Sequence, residues 1–346
     1  MKTRFFLVGM MAAALLSGCS QDEVVESLDM NQAIGFGTYV GTQTKASEQT
    51  IGTIKGAGKG FGVYAYYTKE DSYNSNSSTP ELNFMENVHV TFNNSNSAWE
   101  YSPLRYWMNG TDMISFFAYA PFLDTNITNK PVLGADGDPT VDFTVQNTVT
   151  SQTDLLYASA IDQTKNGLIV DDVLGKVKFT FNHALSRIAV YAKISDDYYS
   201  DSEVEIVVTG ITLTGKPNTS GTLNLCTGVW TATNLAQNSI DYRIGLNSNN
   251  TTLSTSEQQL NTANDYLMII PTDMSTTGFT VTVNYNITQA GVSSSNQVTG
   301  IIKNNFIKGK AYKVVLNVGL DAIKFDVDAE NGVDGWGNES EISSTL

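Results

Sequence analysis

Cysteine, histidine and positive charge are all scarce in this chain of 346 residues, and each shortage excludes something. Two cysteines, Cys19 and Cys226, cannot build a disulfide framework and do not have the spacing of a zinc site. Two histidines, His89 and His183, lie within or beside strand-like segments, leaving few side chains that titrate near neutral pH for acid–base catalysis. Both read as structural. Lys and Arg number 20 against 35 Asp and Glu, a formal net charge of −15, which argues against nucleic acid or an anionic lipid surface held by a broad electrostatic field. The chain also lacks Gly-rich phosphate loops, metal-spaced cysteines and a nucleophile elbow. No catalytic residue, metal or cofactor is expected, and the chain does not read as an enzyme.

Carboxylates are plentiful, and a glycan-degrading enzyme would need two of them at a set separation, which sequence alone does not place. The acidic phrase "DVDAENGVDGWGNE" (326–339) fails the calcium-loop template, with Asn331 where glycine belongs and Gly337 where a bidentate glutamate belongs.

What is present begins with a leader. Lys2 and Arg4 precede an apolar run from Phe5 to Leu16, too short to span a bilayer as a mature helix. The run ends in Leu16-Ser17-Gly18-Cys19, which resembles the bacterial lipobox, in which the cysteine is acylated before cleavage. Acyl chains contribute roughly 0.8 kcal/mol per buried methylene, so two or more anchor a chain stably to a membrane. Cys19 is thus the expected lipidation site, and a covalent lipid the only attached group. Only Cys226 then remains, in an apolar, strand-like setting, and reads as a small core residue.

Strand signals fill the rest. "GFGVYAYY" (60–67), "VHVTF" (88–92), "MISFFAYA" (113–120), "VDFTV" (141–145), "VKFTF" (177–181) and "RIAVYA" (187–192) are rich in β-branched and aromatic residues. "VEIVVTGITLTG" (204–215), "YLMII" (266–270), "FTVTVNYNI" (279–287) and "AYKVVLNV" (311–318) continue the pattern between turn-forming clusters of Asn, Ser, Thr and Gly. No long amphipathic helix competes. The expectation is an all-β fold of two tandem β-sandwich domains, transthyretin-like or Greek-key, following a lipoprotein signal peptide. The expected division is 1–18 signal peptide, 19–45 lipidated tether and N-terminal strand, 46–172 first sandwich, 173–318 second sandwich, and 319–346 a C-terminal strand. The boundary near 172 rests on weak strand density over 159–172.

The phrases "WEYSPLRYW" (99–107), "FFAYAP" (116–121), "DLLYA" (154–158), "VKFTFNHALSRIAVYA" (177–192) and "KGKAYKVVLNVGLDAIKF" (308–325) resemble, in order and spacing, the fimbrillin-like family, subunits of type V pili in Gram-negative bacteria. Physically, Trp99, Tyr101, Tyr106 and Trp107 suit packing at a sandwich edge. The sharper reading makes Trp99 and Trp107 a glycan-stacking platform.

The resemblance implies an outer-membrane lipoprotein that reaches the cell surface, where a maturation protease removes an N-terminal strand after a basic residue. The opened groove then accepts a donor strand from the next subunit, so partners are other subunits joined head to tail in a fimbria that supports adhesion. Here the acidic stretch 20–32 precedes "AIGFGTYVGTQTK", with Ile34, Phe36 and Val40 on one face. The first basic residue after Cys19 is Lys45, so Lys45 and Ala46 are the candidate processing site, with lysine where similar proteins commonly carry arginine. Burying Ile34, Phe36 and Val40 at roughly 1.5–3 kcal/mol each gives about 5–9 kcal/mol. A whole domain has about 5–15 kcal/mol, so losing this strand demands a substitute. Ile323, Phe325 and Val327 alternate as a donor strand would, and open head-to-tail exchange builds a filament. Two other readings stand beside it: residues 319–346 as an in-domain strand, and a non-polymerising surface lipoprotein that binds glycan or host protein.

Overall fold

A computed structural model describes residues 32–40, 50–74, 80–122, 125–167, 169–170, 173–194, 204–249, 251–262, 265–318 and 323–329. Cys19, Lys45 and Ala46 lie outside the described residues, as do the side chains of Val40, Ile323, Phe325 and Val327.

The fold is all-β, and its first sheet has seven strands. β1 (Gly35–Val40) pairs with β11 (Lys176–His183), followed in order by β8 (Leu156–Gln163), β5 (Met113–Ala120), β2 (Phe61–Lys69), β3 (Met85–Asn93) and β4 (Ala98–Glu100). Only the β1–β11 pair in this sheet is parallel. The two end strands, β1 and β4, come into contact, so the sheet curls around its own inner face. That face carries the first core, built from Phe61, Val63, Phe116, Val177, Phe179 and Phe181 among others.

β2 and β5 are apolar on both faces because both faces are covered. Phe61, Val63 and Ala65 enter the first core, whereas the intervening Tyr64 and Tyr66 enter another; Phe116 and Phe117 divide in the same way. Alternation of side chains across a strand produces this split, and it explains the near-continuous apolar runs in these segments. β11 has only one covered face and alternates, with Val177, Phe179 and Phe181 inside and Lys178 and Thr180 outside.

A smaller sheet covers the outer face, in the order β15 (Trp230–Leu235), β14 (Asn218–Asn224), β7 (Thr140–Thr144), β6 (Ile127–Thr128). A short pair, β9 (Ile169–Val170) and β10 (Val173–Leu174), precedes β11. The second sandwich stacks two sheets. One runs β17 (Gln258–Gln259), β12 (Ser186–Ile194), β23 (Ala311–Val318), β24 (Ile323–Ala329), with β18 (Leu267–Ile269) also on β12. The other runs β16 (Ile240–Ile244), β13 (Val204–Gly215), β20 (Phe279–Gln289), β21 (Val292–Ile302). Their shared core includes Ile188, Val190, Ile211, Phe279, Tyr312 and Val314. The β20–β21 hairpin turns on Ala290 and Gly291, both at positive φ, the geometry that matches strand twist in a two-residue turn. β19 (Thr272–Asp273) and β22 (Asn305–Phe306) pair at one end, and a short α-helix, α1, spans Ile51–Ile54.

The expected division at 172/173 does not follow the sheets. β11 completes the first sheet, so the chain leaves it only after His183. The hairpin β14–β15, from the second half of the sequence, pairs with β7 of the first. Low strand density marks a loop, but it does not say which sheet the next strand joins. The core under that hairpin mixes Tyr66, Phe117 and Phe143 with Leu223, Leu225 and Met268, so the two halves share interior.

Candidate functional site

The segment 33–40 alternates, which sends Ile34 and Phe36 to the same side of β1. Both are buried, at 1% and 2% exposure. The Phe36 ring stacks on Phe179 at 5.7 Å between centroids, and Phe61, Tyr101 and Phe116 surround it within 6.2 Å. Such pairs add about 0.5–1.5 kcal/mol beyond area burial. β1 therefore fills a groove in the first core rather than lying over it.

One wall of the groove is β11, in parallel register with Phe36 beside Val177 and Thr38 beside Phe179. The other wall is the segment 101–107. The Ile34 N–H donates to the Arg105 carbonyl at 2.8 Å, and the Trp107 N–H donates to the Gln32 carbonyl at 3.2 Å. The Tyr101 hydroxyl donates to the Ile34 carbonyl at 2.9 Å, and burial holds that phenol above its ordinary pKa. The aromatic phrase thus supplies the strand with hydrogen-bond partners on its far side. A cavity of about 240 Å³ adjoins β1, lined by Ala33, Gly35, Phe36, Trp99 and Lys176 among others.

Trp107 is 2% exposed and donates its indole N–H to the Gly175 carbonyl at 2.9 Å, with its ring edge-on to Phe116. It offers no face to a sugar, which removes it from the glycan-stacking reading. Trp99 is half-buried, held edge-on by Phe61 and Phe92. Tyr106, expected to pack, is instead 45% exposed. Gly175 is at φ +74°, and a Cβ there would lie 2.7 Å from the Trp107 nitrogen, so this turn into β11 requires glycine.

The other singled-out residues are structural. His89 Nε2 lies 2.6 Å from the Lys59 carbonyl with its ring stacked on Phe122. His183 Nδ1 lies 2.7 Å from Asp154 Oδ2, both buried, which brings "DLLYA" and "NHALSR" together in space. There Ser186 Oγ donates to the Ile307 carbonyl, Trp230 Nε1 donates to the Ala184 carbonyl, and the buried Arg187 guanidinium lies 4.4 Å from the Tyr266 ring centroid. These phrases form the crossing between the halves. Burial, with Asp138 nearby, pushes the Cys226 thiol up to about 11, far from a nucleophile's range. Among the described residues, no three of His, Cys, Asp or Glu converge as a metal site.

Ile323–Ala329 form β24, antiparallel to β23, with Phe325 beside Leu316 and Val327 beside Val314. In this structure the candidate donor is an end strand of its own second sandwich. Sequence reasoning singled out Tyr101 for packing but not as a donor to the first strand, and it did not find Arg105, since a backbone carbonyl leaves no mark in the sequence. Nor did it find Thr38, whose Oγ1 is buried without a hydrogen-bond partner among the described residues.

Two sandwiches joined by a shared core, with the first strand inlaid between β11 and 101–107, define a structural β-sandwich protein. The fimbrillin-like family model matches residues 44–331. Fimbrium subunit Fim1C of Phocaeicola vulgatus is 30% identical, over 97% of each chain. The crystal structure of a fimbrial protein from Bacteroides vulgatus superposes with a TM-score of 0.68 at 26% identity, covering 87% of this chain and 98% of that one. The chain belongs to the fimbrillin-like family, and its role is that of a structural pilus component at the cell surface.

Proposed function

We propose that the chain is exported as a lipoprotein acylated on Cys19, cut after Lys45 at the surface, and polymerised by donor-strand exchange. The observation that carries this reading is the burial of Ile34 and Phe36 in a groove between two backbone walls. Lys45 falls in sequence between the end of β1 at Val40 and the helix cap Thr50, so a cut there separates β1 from the body that holds it. The freed groove then takes residues 323–329 of another copy, and the protein that performs the cut is a surface protease selective for a basic residue. The outer membrane is the partner of the precursor, and other pilus subunits are the partners of the mature chain. Adhesion is the function of the assembled fimbria.

One observation favours the second reading, a surface lipoprotein that does not polymerise: β24 already has a seat on its own β23. The two are separated by the N-terminal residue of protein taken from the cell surface, together with gel ladders under mild denaturation. Ala46 at the terminus, with ladders lost on deleting 319–346, is the expected result. Acylated Cys19 on monomeric protein would reject polymerisation by this route.

A further inference from the structure

The two strands that compete for the groove are alike in sequence. Ala33-Ile34-Gly35-Phe36 opens the resident strand, and Ala322-Ile323-Lys324-Phe325 opens the candidate donor, with a single difference over four residues. Continuing in the same direction sets Asp326 against Gly37, Val327 against Thr38 and Ala329 against Val40. Resting on the donor-strand reading above, we infer that the donor of a second copy enters parallel to β11 with Ile323, Phe325 and Val327 in the places of Ile34, Phe36 and Thr38.

The positions of Phe36 and Gly35 accept the donor's residues. Phe325 meets the same ring of Phe61, Tyr101, Phe116 and Phe179. Gly35 is not at positive φ, and a Cβ built there meets only the flexible Lys176 side chain at 3.6 Å, so Lys324 fits at that position. Position 37 lies beside Lys178 in the register, which gives Asp326 an opposite charge across the strand pair. Lys324 lies beside Lys176, the one like-charge contact of the exchange.

The register also supplies a direction. Thr38 Oγ1 is buried with no hydrogen-bond partner among the described residues, an arrangement that carries a desolvation cost. Valine has the same shape without the hydroxyl, so Val327 removes that cost. The donor further replaces Gly35 and Gly37 with residues that lose less chain freedom on ordering. The resident strand is a deliberately inferior occupant, good enough for export and outmatched by its successor.

Paired cysteines in the full-length chain, recovered in pili sheared from cells, test this. Lys324→Cys with Lys176→Cys, and Asp326→Cys with Lys178→Cys, should each lock ladders that survive full denaturation without reductant. The crossed pairs, Lys324→Cys with Lys178→Cys and Asp326→Cys with Lys176→Cys, should not. Cross-linking only by the crossed pairs overturns the register and direction while leaving strand exchange standing. Ladders from neither set, with pili absent in the unmodified chain as well, overturn strand exchange itself. Thr38→Val should slow conversion of precursor to polymer several-fold, and an unchanged or faster rate would reject the assigned driving force.

Discussion

At Phe36, one side chain links the first strand to the interior of the first sheet. Its ring contacts come from β2, β5, β11 and the 101–107 wall, so truncation leaves a void that none of these can close alone. Phe36→Ala in the full chain is expected to lose about 3–5 kcal/mol of stability by denaturant titration. A loss near zero would mean that the ring is not part of the core. The residue was legible in advance because Ile34 and Phe36 alternate on one face within an otherwise acidic arm. The partners that receive it were not. Arg105 contributes through its carbonyl and Gly175 through its lack of a side chain, and neither role is written in residue type or periodicity.

The elements divide in the same way. "MISFFAYA" occupies Met113–Ala120 as read, and the long runs 204–215 and 311–318 match β13 and β23, because strong β-branched and aromatic alternation leaves no competing structure. What failed was assignment to sheets. "VKFTF" looked like the start of a second domain, yet its strand β11 pairs with β1 along 176–181 and with β8 at Asn182 and His183. Its parallel pairing with β1 joins strands far apart in sequence, and no local pattern reports such a partner. The turn that admits β11 makes this element sensitive at a single backbone position. Gly175→Ala would force a Cβ against the Trp107 indole at a positive φ, and a stability loss above about 1 kcal/mol is expected by thermal denaturation. If the variant matches the parent, the Trp107–Gly175 contact does not fix the turn.

For the whole molecule, the buried phenols set a limit at high pH. Burial raises Tyr64, Tyr66, Tyr119 and Tyr242 well above the ordinary value of 10.0. A folded-state pKa above the unfolded one stabilises the fold fully below about pH 10 and progressively less as pH rises past it. Alkaline titration should therefore show tyrosinate absorbance of these residues rising together with loss of the β circular-dichroism signal. Ionisation near pH 10 with that signal intact would contradict their burial. Because Tyr242 lies in the core of the second sandwich and Tyr64, Tyr66 and Tyr119 lie in the core that the two halves share, the collapse is expected to involve both halves.

The shared interior beneath the β14–β15 hairpin has a mechanical consequence. Leu223 and Met268 are packed among Phe117 and Tyr66, so one sandwich cannot swing against the other without tearing open an apolar interior. The described residues of both halves therefore move as one stiff segment, and a fimbria that contains this chain is expected to bend more readily at the contacts between subunits than across this shared core.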